Sequence, residues 1–256
     1  MTGRMLLLAA LVLCAAPRVA RAQTMLDQEQ RLIEIHSLLL DLPPLLGPAA
    51  LPPGTLSLSL EAVTIPEIDG TTGSKEQITA SDRTSVFPRP RAMLGLPAPA
   101  GLRAFVGLSY IPPVEIRDVS THYGAVEAGI GLAHGMLRVA ARAHGMVALS
   151  RAPVTDPATR DELETTGWGA DLAVGVHLER GALAFEPYAG GGVVSVDGRF
   201  EVTSDANVLR STYTGAALHA GLRLVLRSRW ELVTEVVGYP DRLVHTNVRL
   251  GYLFRL

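Results

Sequence analysis

Thiols and lysines are nearly absent from this sequence. Cys14 is the only cysteine and lies within an apolar run near the N-terminus. A chain from which that run is removed has no disulfide, no cysteine metal site and no cysteine nucleophile. Lys75 is the only lysine, and the formal net charge of −2 supplies no positive field for binding phosphates. Disulfide-dense secreted scaffolds and nucleic-acid-binding proteins are therefore excluded.

Long apolar runs are also absent beyond the N-terminus. A transmembrane helix needs about 18 consecutive apolar residues, and no later stretch reaches that length. Such a chain enters a membrane only as a closed barrel, because an open sheet leaves backbone groups unpaired in lipid. Aromatic residues make up only 5% of the chain, and this scarcity counts against a membrane barrel, whose interfaces are rich in Trp and Tyr.

Residues 1–22 have the organisation of a cleaved signal peptide. Arg4 supplies the basic start, Met5 to Ala16 form a short apolar core, and Ala20-Arg21-Ala22 is a small-x-small cleavage sequence. A lipoprotein signal at Cys14 is disfavoured because a bulky leucine precedes it. We therefore expect export from the cytoplasm.

Residues 23–53 predict a helix followed by a proline-rich connector. The helix is expected from about Met25 to Leu42, where Pro43 and Pro44 end it. We expect this short amphipathic helix on the periplasmic side, packed on the surface or mouth of the following domain. A plug inside a lumen and a helix that binds a partner are the alternatives.

Residues 54–256 alternate between apolar and polar side chains, as strands buried on one face do. In the last strand one face comprises Val244, Thr246, Val248, Leu250, Tyr252, Phe254 and Leu256, and the other comprises His245, Asn247, Arg249, Gly251, Leu253 and Arg255. Segments 137–147, 168–179 and 216–227 divide in the same way. The apolar faces continue for about ten residues, which suits a tilted strand that crosses a bilayer better than the five to six residues of typical soluble strands.

Turn lengths supply an independent indication. Ten strands are expected near 55–65, 87–97, 101–117, 122–134, 136–149, 167–180, 182–196, 211–227, 229–238 and 242–256. Connections at one end are all short, whereas the other end has three long polar stretches, 66–86, 150–166 and 197–210. Bacterial outer-membrane barrels show this asymmetry, with the short turns in the periplasm. The predicted fold is an all-β, antiparallel up-and-down transmembrane barrel.

The chain resembles the general class of Gram-negative outer-membrane β-barrels through its signal peptide, its alternating strands and its C-terminal strand. That resemblance implies residence in the outer-membrane lipid. It also implies that Tyr252, Phe254 and Leu256 form a signal read by the barrel-assembly machinery. The class often ends in an aromatic residue, whereas this chain ends in Leu256 with Phe254 two residues earlier.

Charged side chains on the inward faces are the candidate functional residues. The candidates for lining the lumen are Arg138, Arg142, Asp171, Glu179, Arg223, Arg227, Glu231, Glu235 and Arg249. Ten strands enclose a narrow interior that side chains largely fill, so one interpretation is a lumen of paired charges. The other is a narrow pore for a small solute, with room provided by inward glycines such as Gly190, Gly192 and Gly221.

Enzymatic chemistry has little support in the sequence. Asp118 with His122, and Asp241 with His245, lie near one rim, where an acid could orient a histidine base. The remaining histidines are scattered without metal-ligand spacing, so neither a metal nor a cofactor is expected. The sequence favours a non-enzymatic outer-membrane barrel with a structural or porin-like, passive-transport role. A soluble exported β-sandwich that binds a ligand is the alternative, and an outer-membrane barrel hydrolase is less favoured.

Overall fold

A single curved sheet and one helix make up the described part of the chain in the computed structural model. The described residues are 25–43, 50–64, 86–99, 101–116, 119–153, 158–203 and 207–256. The predicted signal peptide, residues 1–22, lies outside them. No described helix has the length and apolar character needed to cross a bilayer.

The elements follow one another as a helix and then a continuous series of strands. Helix α1 is Met25–Leu40. The strands are β1 (Thr55–Thr64), β2 (Val86–Pro97), β3 (Leu102–Ile116), β4 (Val119–His134), β5 (Leu137–Ala152), β6 (Asp161–Val176), β7 (Leu178–Arg180), β8 (Leu183–Val202), β9 (Asn207–Leu226), β10 (Trp230–Tyr239) and β11 (Leu243–Arg255). The short β7 continues β6 beyond His177, so the wall consists of ten strands.

The sheet closes on itself. Each strand pairs antiparallel with its neighbours, and β1 pairs with β11 from Thr55 opposite Arg255 to Val63 opposite Asn247. Strand β6 pairs with both β5 and β8, so β7 leaves no gap in the wall. The predicted ten-strand up-and-down barrel is confirmed, and the β-sandwich alternative is wrong.

The predicted division of faces is also confirmed. Leu218 and Leu250 point outward and are about half exposed, whereas His219 and Arg249 point inward and are buried. On β8 and β9 the outward residues are apolar or small from Leu183 to Val193 and from Ala216 to Leu226. Each apolar stretch is about eleven residues long, the length that a tilted strand needs to cross a hydrocarbon layer.

The strands extend further than predicted at the end where the long connections lie, the loop end. β8 continues to Val202 and β9 starts at Asn207, so most of the predicted polar loop 197–210 is strand. Its outward residues, such as Asp197 and Arg210, are exposed. Polarity in this stretch therefore reflects a wall that continues beyond the apolar band, not the end of the sheet.

The prolines of β2 are tolerated because of where the strand is paired. Pro88 and Pro90 face outward and lie opposite residues of β1. Pairing between β2 and β3 begins only at Arg91. A strand without a neighbour on one side accepts proline, because no hydrogen bond is lost there.

The N-terminal part of the chain lies inside the barrel. We call residues 25–43 and 50–52 the lumenal segment. Ser37 Oγ lies 3.4 Å from Thr165 Oγ1, and Glu34 forms an ion pair with Arg242, so α1 packs within the loop end.

The predicted helix before the barrel is confirmed, but it does not lie at the end with short turns (the turn end), where the periplasmic side was expected; it lies inside the barrel, as the alternative of a plug in the lumen predicted. The apolar side chains of α1 need burial, and inward glycines and alanines of the wall leave space for them. Residues 50–52, not the helix, lie near the turn end, where Ala50 and Leu51 are buried.

Candidate functional site

The lumen has apolar packing at both ends and charges between them. At the loop end Leu38 and Leu42 pack with inward side chains that include Tyr123, Val194 and Tyr213. At the turn end the buried cluster comprises Ala50, Leu51, Met93, Phe105, Val225 and Leu253. Because both ends are closed to water, the charged groups between them are buried and need partners.

One set of charges, which we call the segment network, comprises Glu61, Arg89, Arg91, Glu127, Arg142 and Asp171. Arg89 Nε donates to Glu61 at 2.8 Å, and Arg91 bridges Glu61 and Glu127. Arg142 continues the chain of ion pairs from Glu127 to Asp171. The network thus joins strands β1, β2, β4, β5 and β6 across the interior.

Glycine at position 107 allows this network to pass over β3. A Cβ atom at Gly107 would collide with the Glu127 side chain. Because the glycine leaves that space empty, Glu127 on β4 reaches Arg91 on β2, with an Nε–Oε1 distance of 2.6 Å. The position therefore requires glycine for a close approach.

The same arginines bind the backbone of the lumenal segment. Arg89 Nη1 donates to the carbonyl oxygens of Leu40 and Asp41, at 3.3 and 2.9 Å. Arg142 donates to those of Leu42 and Pro43, at 2.9 and 3.0 Å. The last carbonyls of a helix have no partner within it and carry its negative dipole end. Arg89 thus satisfies the last carbonyl of α1, and both arginines bind the backbone that directly follows the helix.

The Asp41 side chain adds a further connection to the wall. It accepts hydrogen bonds from His144 Nε2 at 2.8 Å and from the Tyr239 hydroxyl at 3.0 Å. Burial raises the pKa of the Asp41 carboxyl, but His144, Arg142 and Tyr239 outweigh burial, so the pKa lies below its ordinary value. Asp41 therefore sits in the lumen as a partnered carboxylate.

The arginine hydrogen bonds to residues 40–43, and the space that inward glycines leave for the lumenal segment, together form what we call its seat. A Cβ at Gly198 would meet the side chains of Ile33 and Ser37, and one at Gly131 would meet Ala50. A Cβ at Gly95 would overlap the backbone of Leu51 and Pro52. One interpretation of the sequence was that inward glycines leave open space for a pore. At these three positions the lumenal segment occupies that space.

The space next to the glycines named in the sequence analysis is also occupied, in their case by other residues of the wall. A Cβ at Gly190 would meet His219, and one at Gly221 would meet Tyr188. At Gly192 an added Cβ would overlap the backbone of Ala170 on the neighbouring strand.

A second set of charges, the wall network, comprises Glu186, Arg223, Glu231 and Arg249. Arg223 pairs with both Glu186 and Glu231, and Arg249 Nη2 lies 2.8 Å from Glu231. These residues stand on four consecutive strands, β8 to β11. Their described hydrogen bonds and ion pairs are to wall residues, and none is to the lumenal segment.

The residues predicted to line the lumen fall into two groups. Six of them lie inside the barrel in ion pairs or hydrogen bonds: Arg142, Asp171, Arg223, Glu231, Glu235 and Arg249. The other three, Arg138, Glu179 and Arg227, lie at the turn end. Arg138 donates to carbonyl oxygens of its own turn, Glu179 is exposed, and Arg227 occupies the turn between β9 and β10.

Sequence reasoning missed Arg89, Arg91 and Asp41 as parts of this site. The two arginines alternate with prolines, which weakened the strand signal of β2, although their own spacing of two residues is the strand period. Asp41 carries no local signal, because its partners Tyr239 and His144 are far away in the sequence.

Aromatic residues lie on both faces of the wall. Tyr123 and Tyr213 point inward and are buried. At the turn end Trp230, Tyr252 and Phe254 do lie together on the outer face, with ring centroids 4.9 and 4.7 Å apart. Tyr252, Phe254 and Leu256 are all accessible from outside the barrel.

Space inside the barrel is very limited. The cavity below Asp41, next to His144, Asp171 and His219, has a volume of about 10 Å³. This is room for about one water molecule. Around Asp41 the described side chains and the lumenal segment therefore fill the lumen.

Of the two suggested catalytic pairs, only Asp241 with His245 lies wholly within the described residues, and no described hydrogen bond joins those two side chains. Asp118 lies outside the described residues, and His122 is exposed on the outer face beside Tyr110. His245 is buried, stacks on Tyr239 and contacts Asn247 at 3.1 Å. Among the described residues no group of three or more His, Cys, Asp or Glu side chains is arranged to hold a metal ion.

Comparison with known proteins finds similarity at the level of overall structure. No protein-family model and no curated protein matches the chain. The Ail protein of Yersinia pestis is 12% identical, with 79% of this chain and 99% of that chain covered and a TM-score of 0.36. The translocator domain of the autotransporter NalP from Neisseria meningitidis is 12% identical over 90% of this chain and 95% of that chain, with a TM-score of 0.38.

The N-terminal β-barrel domain of Pseudomonas aeruginosa OprF is 9% identical, with 80% of this chain and all of that chain covered and a TM-score of 0.33. Identities and TM-scores this low assign no activity, ligand or partner to the chain. The barrel itself confirms the fold class expected from the sequence.

Proposed function

We propose that this protein is an integral, non-enzymatic barrel of the bacterial outer membrane whose lumenal segment closes it at rest. Membrane residence is supported by the closed wall and by the apolar outer stretches of about eleven residues on β8 and β9. A folded barrel extracted in detergent should migrate differently on a gel before and after boiling. A protein that stays soluble without detergent contradicts membrane residence.

The observation that carries the closed state is the set of arginine-to-carbonyl hydrogen bonds between the segment network and residues 40–43. Buried guanidinium groups that serve the backbone of a tethered segment form a specific seat for it. With the seat occupied, a solute has no path. Passive passage of a small solute therefore requires the segment to move, and a purely structural barrel keeps it in place.

Conductance in planar bilayers tests this proposal. Leu38→Asp with Leu42→Asp places two carboxylates in the apolar cluster at the loop end and changes no wall residue. We expect the unaltered chain to be silent and this variant to conduct. A conducting unaltered chain, or a silent variant that still folds as a barrel, contradicts closure by the segment.

A disulfide supplies the matched control, because the chain beyond residue 22 has no cysteine of its own. Ser37→Cys with Thr165→Cys, added to the aspartate variant, should restore silence when oxidised and conduct when reduced. Ser195→Cys with Thr214→Cys joins β8 to β9 on the outer face, where the hydroxyls are 2.8 Å apart. Oxidation of this second pair should leave the current unchanged.

The outward residues of β11 are proposed to serve the barrel-assembly machinery. Tyr252 and Phe254 are accessible and adjacent on the outer face, as a recognition signal requires. Tyr252→Ala with Phe254→Ala should lower the heat-modifiable fraction made in cells. The same protein should still refold into detergent micelles, since no inward contact is lost. Unchanged assembly in cells contradicts this role.

A further inference from the structure

Four exposed arginines, which we call the arginine arc, lie side by side at the turn end: Arg180, Arg227, Arg229 and Arg255. They belong to the β7–β8 turn, the β9–β10 turn and the end of β11. Backbone hydrogen bonds of 2.7 Å connect these elements, from Arg227 N to Ala182 O and from Leu253 N to Arg229 O. The four side chains therefore project from one continuous stretch of the rim.

The arginine arc has an unbalanced charge. None of its members forms an ion pair with a described residue. At the loop end Arg151, Arg160, Arg199 and Arg242 each pair with a carboxylate, whereas the exposed Arg210 forms no ion pair with a described residue. The acid nearest in sequence is Glu179, whose described partner is His177. The four arginines therefore carry more positive charge than Glu179 can neutralise.

The arc lies at the edge of the apolar band. Leu226 precedes Arg227, Trp230 follows Arg229, and Phe254 precedes Arg255. The aromatic cluster of Trp230, Tyr252 and Phe254 marks the height at which a lipid layer changes from hydrocarbon to headgroups. Guanidinium groups next to it are therefore at headgroup level.

We propose that the arginine arc binds the phosphate groups of anionic phospholipids in the leaflet at the turn end, an inference that rests on the membrane residence proposed above. Guanidinium groups bind phosphate oxygens through two parallel hydrogen bonds. A cluster of cations at a lipid surface also enriches anionic headgroups electrostatically. Both effects need cations that no protein carboxylate already neutralises, and the arc provides them.

The two tryptophans of the chain report on opposite edges of the band. Trp168→Phe leaves Trp230 beside the arc, and Trp230→Phe leaves Trp168 towards the loop end. Each protein is placed in mixed phosphatidylcholine and phosphatidylglycerol vesicles in which only one lipid carries bromine. We expect brominated phosphatidylglycerol to quench Trp230 about twofold more than brominated phosphatidylcholine at low salt, and to quench Trp168 no more. Added salt should reduce the difference.

Arg180→Gln, Arg227→Gln, Arg229→Gln and Arg255→Gln together should bring the two quenching values to equality at Trp230. The matched control, Arg151→Gln with Arg160→Gln and Arg199→Gln, should leave the preference unchanged. Equal quenching before substitution, or a preference that survives it, overturns the role of the arc. If no brominated lipid quenches either tryptophan, membrane residence itself fails, which is a different result.

Discussion

The segment network and the wall network have the same chemistry but different partners. Each consists of buried arginines bridged by glutamates, and each spans neighbouring strands. Arginines of the segment network also donate to the backbone of residues 40–43, whereas the described hydrogen bonds and ion pairs of the wall network stay within the wall. Both networks contain the same kind of ion pair. What distinguishes the half of the lumen that holds the segment is therefore the set of hydrogen bonds from arginine to the segment backbone.

The difference shows how a narrow barrel uses buried charge. A buried ion pair contributes little net stability over an apolar pair of the same shape, although removal of one partner is costly. In the wall network the pairs fix the positions of β8 to β11. In the segment network the same pairs hold guanidinium groups in position to bind carbonyls, which apolar side chains cannot do.

The largest expected effect comes from removing the central glutamate of each network. Glu127→Ala leaves Arg91 and Arg142 short of a partner, and Glu231→Ala does the same to Arg223 and Arg249. Each should lower the free energy of unfolding by about 3–5 kcal/mol, because unpaired charges stay buried. Limited proteolysis should separate them, since only Glu127→Ala should expose residues 25–43 to cleavage. Equal protection in the two variants would show that the networks are equivalent.

A smaller effect is expected from the steric part of the seat. Gly95→Ala places a methyl group against the backbone of Leu51 and Pro52, which cannot rotate away. We expect a loss of about 1–3 kcal/mol in urea unfolding, the usual cost of overpacking, together with faster hydrogen exchange in residues 50–52. Gly145→Ala is the control, because the nearest atom to its added Cβ is 3.7 Å away. A similar loss of stability in both variants would show that the effect of Gly95→Ala does not come from its contact with residues 51 and 52.

The smallest effect concerns Asp41 and acid. Its pKa is lower in the folded protein than in the unfolded chain, so its contribution is present above the ordinary carboxyl pKa of about 4 and is lost as the pH falls through the lower, folded value. Asp41→Asn should cost about 1 kcal/mol at neutral pH. The difference from the unaltered chain should shrink in urea titrations below about pH 4. A difference in the free energy of unfolding that grows as the pH falls would contradict a lowered pKa for Asp41.

The sequence determined the wall far better than its contents. A period of two assigns Arg249 inward and Leu250 outward without any knowledge of the neighbours, since one face must be buried. The pattern of α1 likewise puts Ile35, Leu39 and Leu42 on one apolar face, and these are buried, although Leu32 on the same face is exposed and Leu38 off it is buried. It contains no information on the surface that covers them, because that surface is assembled from strands as far apart in the sequence as β1 and β11. The helix was therefore predicted correctly as an element and placed at the wrong end.

The connection of the lumenal segment to β1 constrains the order of assembly. β1 forms the seam with β11, the last described strand, and begins only three residues after Pro52. If the seam closed first, α1 would have to be threaded through an interior already filled by side chains. A sheet that is still open can curl around the helix and close afterwards. We therefore expect the segment to be in place before the wall closes, and the β1–β11 seam to form last.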